Sequence, residues 1–186
     1  MIKILKFGVL GLALSVAMIG TVGHAATLTF DSANVDPYVE DGFMIDVARI
    51  VNGNCDAVSG RPCMALNNND VSVLTRVGGG TFSLASFWFQ FLGRGAVNTL
   101  TVVSDLGGFL ALDAATFGRN DDGQVFDSSA LALFQNVTSV TFSSSLGGNV
   151  RIDDIVVAAI PVPAAGLLLF GALGGLAALR RRRKTT

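Results

Sequence analysis

The chain has one histidine and two cysteines, and this shortage excludes several classes of chemistry. The histidine, His24, lies in an N-terminal segment that we predict is removed. Without it, the rest of the chain cannot form a Ser-His or Cys-His nucleophile pair, or a zinc site that uses imidazole. A glycosidase needs only two carboxylates, but no pair of acids stands out in the sequence. We therefore predict that the protein is not an enzyme, with a glycan-active enzyme as a distant alternative.

Basic residues are scarce in the middle of the chain. Residues 26–159 hold six arginines and no lysine against fourteen acids, so this region has a net charge of −8, although the whole chain has −1. Such a charge disfavours nucleic acid and anionic lipid as partners. It suits a protein that stays soluble outside the cell, and it suits calcium binding. We predict no nucleic-acid partner.

The only two cysteines, Cys55 and Cys63, are separated by the seven residues DAVSGRP. In an exported chain, such a pair is expected to form a disulfide. A redox pair would more often have the CxxC spacing. We predict a Cys55–Cys63 disulfide that closes a small loop and braces a segment rich in Gly, Asn and Pro.

The N-terminus has the layout of a secretory signal peptide. Lys3 and Lys6 precede an apolar stretch from Phe7 to Val22, and small residues follow at Gly23 and Ala25. This order predicts export, with cleavage after Ala25. The alternative is an anchor that is not cleaved.

The C-terminus has the layout of a membrane segment. Sixteen residues without charge, from Ala164 to Leu179, would reach about 24 Å as a helix, and the Arg180 side chain can extend to the interface. Pro161 and Pro163 favour a helix that starts at or after Pro163. The cations of residues 180–184 should stay cytoplasmic, which leaves the rest of the chain outside. We predict one transmembrane helix.

A Pro-x-Pro motif, an apolar helix, an arginine cluster and the end of the chain follow one another in a fixed order. This order resembles the PEP-CTERM class of sorting signals, and most closely its VPLPA variant, over about the last 26 residues. Ile160 before the first proline and Val162 between the prolines depart from the usual pattern. The residues that carry the resemblance are Pro161, Val162, Pro163, Ala164, Ala165, Arg180, Arg181, Arg182 and Arg183.

The resemblance implies processing by an exosortase, an integral-membrane transpeptidase of Gram-negative bacteria that make extracellular polysaccharide. The protein would be anchored in the inner membrane during sorting, and would then reach the cell surface or the extracellular matrix. The alternative is a plain C-terminal membrane anchor. The chain thus divides into a signal peptide (1–25), an exported domain (26–159) and a sorting signal (160–186).

The exported domain has the pattern of short strands. Runs rich in β-branched and aromatic residues are separated by Gly, Asn and Asp clusters, and no long amphipathic helix is predicted. The pattern predicts an all-β fold, an antiparallel β-sandwich that is jelly-roll-like. The predicted strands are 26–30, 42–51, 71–77, 81–92, 98–104, 137–145 and 149–157, with one short helical turn within 127–137.

The domain also resembles jelly-roll domains of other sorted proteins and lectin-like, carbohydrate-binding sandwiches. The resemblance rests on short motifs, such as Thr29-Phe30-Asp31 and Ile152-Asp153-Asp154-Ile155. In such sandwiches, an early acid and an Asp of the last strand often share a structural calcium ion. The resemblance therefore implies a possible structural calcium, the only cofactor that we consider, with the ligands Asp31, Glu40, Asp41, Asp153 and Asp154. The alternative is that these acids only keep strand ends soluble.

Two aromatic residues are candidates for stacking on a sugar ring. In the stretch TFSLASFWFQFL, the alternation changes phase around Ala85 and Ser86, as a β-bulge would cause, and Trp88 then faces away from the neighbouring phenylalanines. Tyr38 is the only tyrosine. The alternative for Trp88 is burial under a loop or a second strand.

The sequence thus predicts an exported surface or matrix protein, sorted by an exosortase, with a structural or adhesive role associated with extracellular polysaccharide. A dedicated carbohydrate-binding, lectin-like module is the alternative. The expected partners are the exosortase, the inner membrane during sorting, and extracellular polysaccharide.

Overall fold

The computed structural model describes residues 25–31, 35–46, 49–93, 98–119 and 123–159. Within these ranges the chain forms two antiparallel six-stranded sheets that pack face to face as a sandwich. The all-β prediction is therefore confirmed. No helix in the described ranges has the length and hydropathy that a bilayer span requires, and the predicted membrane helix lies outside those ranges.

Sheet 1 has the order β10-β7-β12-β5-β4, and β1 pairs with the C-terminal half of β12. The long strand β12 lies at its centre, where it pairs with β1, β5 and β7. The strands of sheet 1 are β1 (Ala25–Leu28), β4 (Arg49–Val51), β5 (Cys63–Asn67), β7 (Phe82–Phe91), β10 (Gln124–Asp127) and β12 (Asn149–Ala159).

Sheet 2 has the order β2-β3-β6-β11-β8-β9. Asp113 caps a single helical turn, α1 (Ala114–Phe117), by accepting hydrogen bonds from two backbone N–H groups of that turn. A 3₁₀ turn spans Ala132–Phe134, inside the region where a helical turn was predicted. The strands of sheet 2 are β2 (Tyr38–Glu40), β3 (Phe43–Asp46), β6 (Val71–Arg76), β8 (Thr99–Ser104), β9 (Phe109–Asp113) and β11 (Ser139–Ser144).

The core lies between the two sheets and is rich in aromatic rings. Phe87 of sheet 1 meets Phe142 of sheet 2 edge to face, with 5.5 Å between ring centroids, and Phe43 meets Phe82 in the same way at 5.4 Å. Alternation of apolar and polar residues along each strand directs one set of side chains into this core. The other set forms the two outer faces of the sandwich, which are the surfaces available for function.

The predicted change of phase in β7 is a register irregularity. Ser86 pairs with Val156 and Leu84 pairs with Val157, so Ala85 is an extra residue in its strand. A second irregularity lies on β12 between Asp153 and Val156. These irregularities keep the phenylalanines of β7 in the core on both sides of Ala85, as a β-bulge does.

The predicted strand 42–51 forms two strands in different sheets. β3 pairs with β6 in sheet 2, whereas β4 pairs with β5 in sheet 1. Both parts of the run contain similar apolar residues, so the sequence pattern did not indicate that the chain passes from sheet 2 to sheet 1 between them.

Candidate functional site

The outer face of sheet 2 is a continuous surface that we call the hydroxyl face. Its strands show alternating burial, and the outward positions are partly or fully exposed. The side chains are mainly those of Thr, Ser and Val. The hydroxyl face consists of Val39, Met44, Asp46, Val71, Val73, Thr75, Thr99, Thr101, Val103, Phe109, Ala111, Asp113, Ser139, Thr141 and Ser143.

A single row of paired residues crosses the centre of the hydroxyl face. Asp46 of β3 pairs with Val73, which pairs with Thr141, and Val103 and Phe109 continue the row to the edge strand β9. Five strands at a spacing of about 4.8 Å give this row a length of roughly 19 Å. Thr141 lies in its middle, and the row is long enough to contact several sugar rings.

Charge is confined to the margin of the hydroxyl face. Among its described outward positions, Asp46 ends the central row and Asp113 ends β9. The positions between them offer hydroxyl groups, each of which can donate and accept a hydrogen bond, and methyl groups that can contact C–H bonds. A neutral, hydroxyl-rich ligand can therefore bind there without desolvating a charge.

Phe109 is the exposed aromatic residue of the hydroxyl face. Its side chain is 67% exposed, on the edge strand β9. An aromatic ring offers a flat apolar surface on which the C–H face of a sugar can pack. The sequence did not indicate Phe109, because two glycines precede it and the short stretch FLALD lacks a clear alternation of buried and exposed residues.

Tyr38 lies in the core and presents no face to solvent. Its ring is fully buried, 5.0 Å from the Phe30 ring, and its hydroxyl donates a hydrogen bond to Glu40 Oε2 at 3.0 Å. The predicted sugar-stacking role of Tyr38 is therefore not supported by its position. The alternation of β2 places it inward, with Val39 facing outward.

Trp88 lies on the outer face of sheet 1, but residues 52–62 cover it. We call this segment, which links β4 to β5, the strap. The indole is 3% exposed and packs in a small cluster with Cys55, Ala57 and Cys63. Gly123 lies so close to the indole that a Cβ atom there would collide with it. Burial under a loop, the alternative given for Trp88, is the observed arrangement.

The predicted disulfide joins Cys55 to Cys63, with 6.1 Å between the Cα atoms. It fixes the strap to the start of β5, directly above Trp88. The disulfide prediction is confirmed. The sorting residues, from Pro161 to Arg183, lie outside the described residues.

The acids Asp31, Glu40 and Asp41 have different environments. Glu40 accepts hydrogen bonds from the backbone N–H groups of Thr29 and Phe30 at 2.8 and 3.2 Å, which tie the end of β1 to β2. Asp31 accepts one from the Thr29 hydroxyl at 3.0 Å. Asp41 is exposed in the β2–β3 turn with a positive φ of 48°.

Asp153 and Asp154 hold the strap against sheet 1. Asp154 Oδ2 accepts hydrogen bonds from the backbone N–H groups of Val58 and Ser59 at 3.1 and 3.3 Å. Asp153 is fully buried and accepts one from the Ser59 hydroxyl at 3.2 Å. Burial, with the nearby charges of Asp154 and Asp31 as smaller contributions, raises the pKa of Asp153 to about 7.

The five predicted calcium ligands do not form one set of ligands. Among the described residues, no three side chains of His, Cys, Asp or Glu are grouped as a metal site. The carboxylates of Glu40 and Asp154 already accept backbone hydrogen bonds, which accounts for their positions. In the described part of the chain these five acids are therefore not grouped as a calcium site, and Glu40, Asp153 and Asp154 act as local braces.

Comparison with known proteins gives distant likenesses only. No protein-family model matches the chain, and no curated protein matches it. A structure of TmCBM61 in complex with β-1,4-galactotriose is 18% identical, with a TM-score of 0.35, over 63% of this chain and 88% of that one. A variant of the family 29 carbohydrate-binding module CBM29-2 is 10% identical, with a TM-score of 0.41, over 73% and 91%.

A third likeness is the family 11 carbohydrate-binding module from Clostridium thermocellum, in complex with a β-1,3-1,4-mixed-linked tetrasaccharide. It is 14% identical, with a TM-score of 0.36, over 76% of this chain and 98% of that one. At these sequence identities and TM-scores, the similarities do not show what this chain binds.

Proposed function

We propose that this protein is an exported, non-catalytic polysaccharide-binding protein, built on a jelly-roll-like sandwich, whose hydroxyl face contacts a neutral glycan. The observation that carries the proposal is the absence of charge from the described interior of that face. The domain has a net charge of −8, yet the acids near this face lie at its margin. This role corresponds to the carbohydrate-binding alternative from the sequence.

The chemistry of the hydroxyl face matches that of a neutral sugar chain. Serine and threonine hydroxyls exchange hydrogen bonds with sugar hydroxyls, directly or through water. The valine and threonine methyl groups and the Phe109 ring cover the apolar C–H faces of the rings. An anionic ligand would find no cationic partner among the described outward positions of this face.

Binding of a neutral matrix glycan would also give the protein an adhesive role at the cell surface. The Pro161–Pro163 motif and the Arg180–Arg183 cluster support delivery there by an exosortase, after transient anchoring in the inner membrane. Mature protein from the native host should then lack the arginine cluster. Intact-mass analysis of the surface fraction tests this, and a full tail on the mature protein would leave only a plain membrane anchor.

A glycan array with the exported domain, residues 26–159, tests the proposed function. We expect signals on neutral polysaccharides, and no signals on nucleic acid. The same glycans should be incubated with the domain and analysed for reducing ends. They should remain intact, because the proposed role is binding without catalysis. An array without any neutral glycan signal would contradict the proposal, and release of reducing ends would favour a glycan-active enzyme.

A further inference from the structure

Two arginines lie side by side on the outer face of sheet 1, the opposite side of the sandwich from the hydroxyl face. Arg49 of β4 and Arg151 of β12 both pair with Ala65 of β5, so one strand separates them. Their Cα atoms are thus about 9.5 Å apart. The residue between them is a buried alanine, and the charge of Arg49 is near enough to act on Arg151.

Neither arginine has a carboxylate partner within the described part of the chain. Arg61 forms the ion pair found in that part, with Asp56 at 3.8 Å. Arg151 donates hydrogen bonds only to neutral oxygens, namely Gly53 O, Val150 O and Asn149 Oδ1. Two neighbouring cations without acids are unexpected in a domain where acids outnumber arginines fourteen to six.

The Arg151 guanidinium is held in place before any ligand binds. Its Nε donates to Gly53 O at 3.3 Å and its Nη1 to Asn149 Oδ1 at 2.6 Å, while its Nη2 group has no hydrogen bond within the described residues. Arg151 is 8% exposed, and Arg49 beside it is exposed. Burial and the nearby charge of Arg49 lower the pKa of Arg151, so an anion would relieve a repulsion that is already present.

We infer that Arg49 and Arg151 form an anion subsite for the carboxylate of an acidic sugar residue, such as a uronate, on an otherwise neutral glycan. Guanidinium groups bind carboxylates through charge-assisted and often bidentate hydrogen bonds. An isolated carboxylate fits better than a polyanion, because the net charge of −8 repels a chain that is negative throughout. This subsite is separate from the hydroxyl face, so a lack of binding at one of the two sites would not imply a lack of binding at the other.

The test is a calorimetric or NMR titration of the purified mature protein with sodium glucuronate, with glucose and sodium acetate as separate probes. We expect glucuronate to bind, glucose to give no signal at this site, and acetate to bind at least fivefold more weakly. Arg49→Gln should weaken glucuronate binding at least fivefold. Arg61→Gln is the matched control, because it removes the same charge from an ion-paired arginine, and it should change affinity less than twofold.

Several outcomes would overturn the inference. Equal losses in Arg49→Gln and Arg61→Gln would mean a general effect of charge, and equal affinity for acetate would leave an anion site without sugar recognition. Self-association that Arg49→Gln abolishes, measured by light scattering, would assign the arginines to carboxylates of a second copy. Because Arg151 also holds the strap, Arg151→Lys is a further variant. It keeps the charge but loses the fork geometry, and it should weaken glucuronate binding more than Arg61→Gln does.

Discussion

Removal of the Cys55–Cys63 disulfide should destabilise the domain and change the environment of Trp88. The two cysteines are eight positions apart, and a loop of this size corresponds to about 2.5 kcal/mol of chain entropy in the unfolded state. For a domain of this size, such a loss lowers the melting temperature by roughly 8–10 °C. The fold should persist, because the main core between the sheets does not include either cysteine.

Two measurements on the Cys55→Ala, Cys63→Ala double variant check this expectation. Thermal unfolding gives the stability change, and tryptophan fluorescence reports the strap directly because Trp88 is the only tryptophan. Fluorescence should rise and shift to longer wavelength as the strap loosens, since disulfides quench indole emission and the ring gains contact with water.

The control is a thiol reductant, which should shift the wild type toward the double variant and leave the double variant unchanged. An unchanged melting temperature together with unchanged Trp88 fluorescence would refute the reasoning. The strap would then be held by Asp153, Asp154 and Arg151 alone.

Three other expectations concern groups near the strap and the acids. Asp153 has a raised pKa of about 7 in the folded state, so its contribution to stability is present below about pH 4 and is lost as the pH rises through 7. Asp153→Asn should therefore match the wild type near pH 4 and unfold at a higher temperature at pH 8, and a parallel pH profile for both proteins would count against this. Gly123→Ala places a Cβ on the Trp88 indole and should cost about 1–3 kcal/mol in urea unfolding, with a red shift of emission; a neutral effect would mean that the indole is not packed there. Calcium should raise the melting temperature no more than sodium chloride at matched ionic strength, and a calcium-specific rise that is lost in Asp154→Asn would restore the calcium hypothesis.

The strands with clear alternation could be predicted from the sequence. β8 and β11 alternate between core and surface along their whole length, and their predicted boundaries agree with the structure within a few residues. β5 was not predicted, because the strap covers its outer face and Cys63 and Ala65 are buried on that side as well. A strand that is buried on both faces loses the alternation from which strands are recognised.

The site residues were harder to predict than the fold. A tryptophan that faces away from three phenylalanines could be exposed to solvent or covered by a loop. Only the path of residues 52–62 shows that the strap covers it. The hydroxyl face has no single motif, because it depends on the register of β6, β11 and β8. The Arg49–Arg151 pair likewise depends on register, since about a hundred residues separate the two in sequence.

The most direct test of the central claim compares Thr141→Glu with Val125→Glu in binding to the neutral glycan found by the array. Thr141 is at the middle of the hydroxyl face, whereas Val125 is 60% exposed on the outer face of sheet 1. Both changes add the same charge to an outward position of a strand. We predict that Thr141→Glu weakens binding at least tenfold, or about 1.4 kcal/mol, and that Val125→Glu changes it less than twofold. Equal affinities for both variants, with melting temperatures near that of the wild type, would contradict the claim that the hydroxyl face binds the glycan.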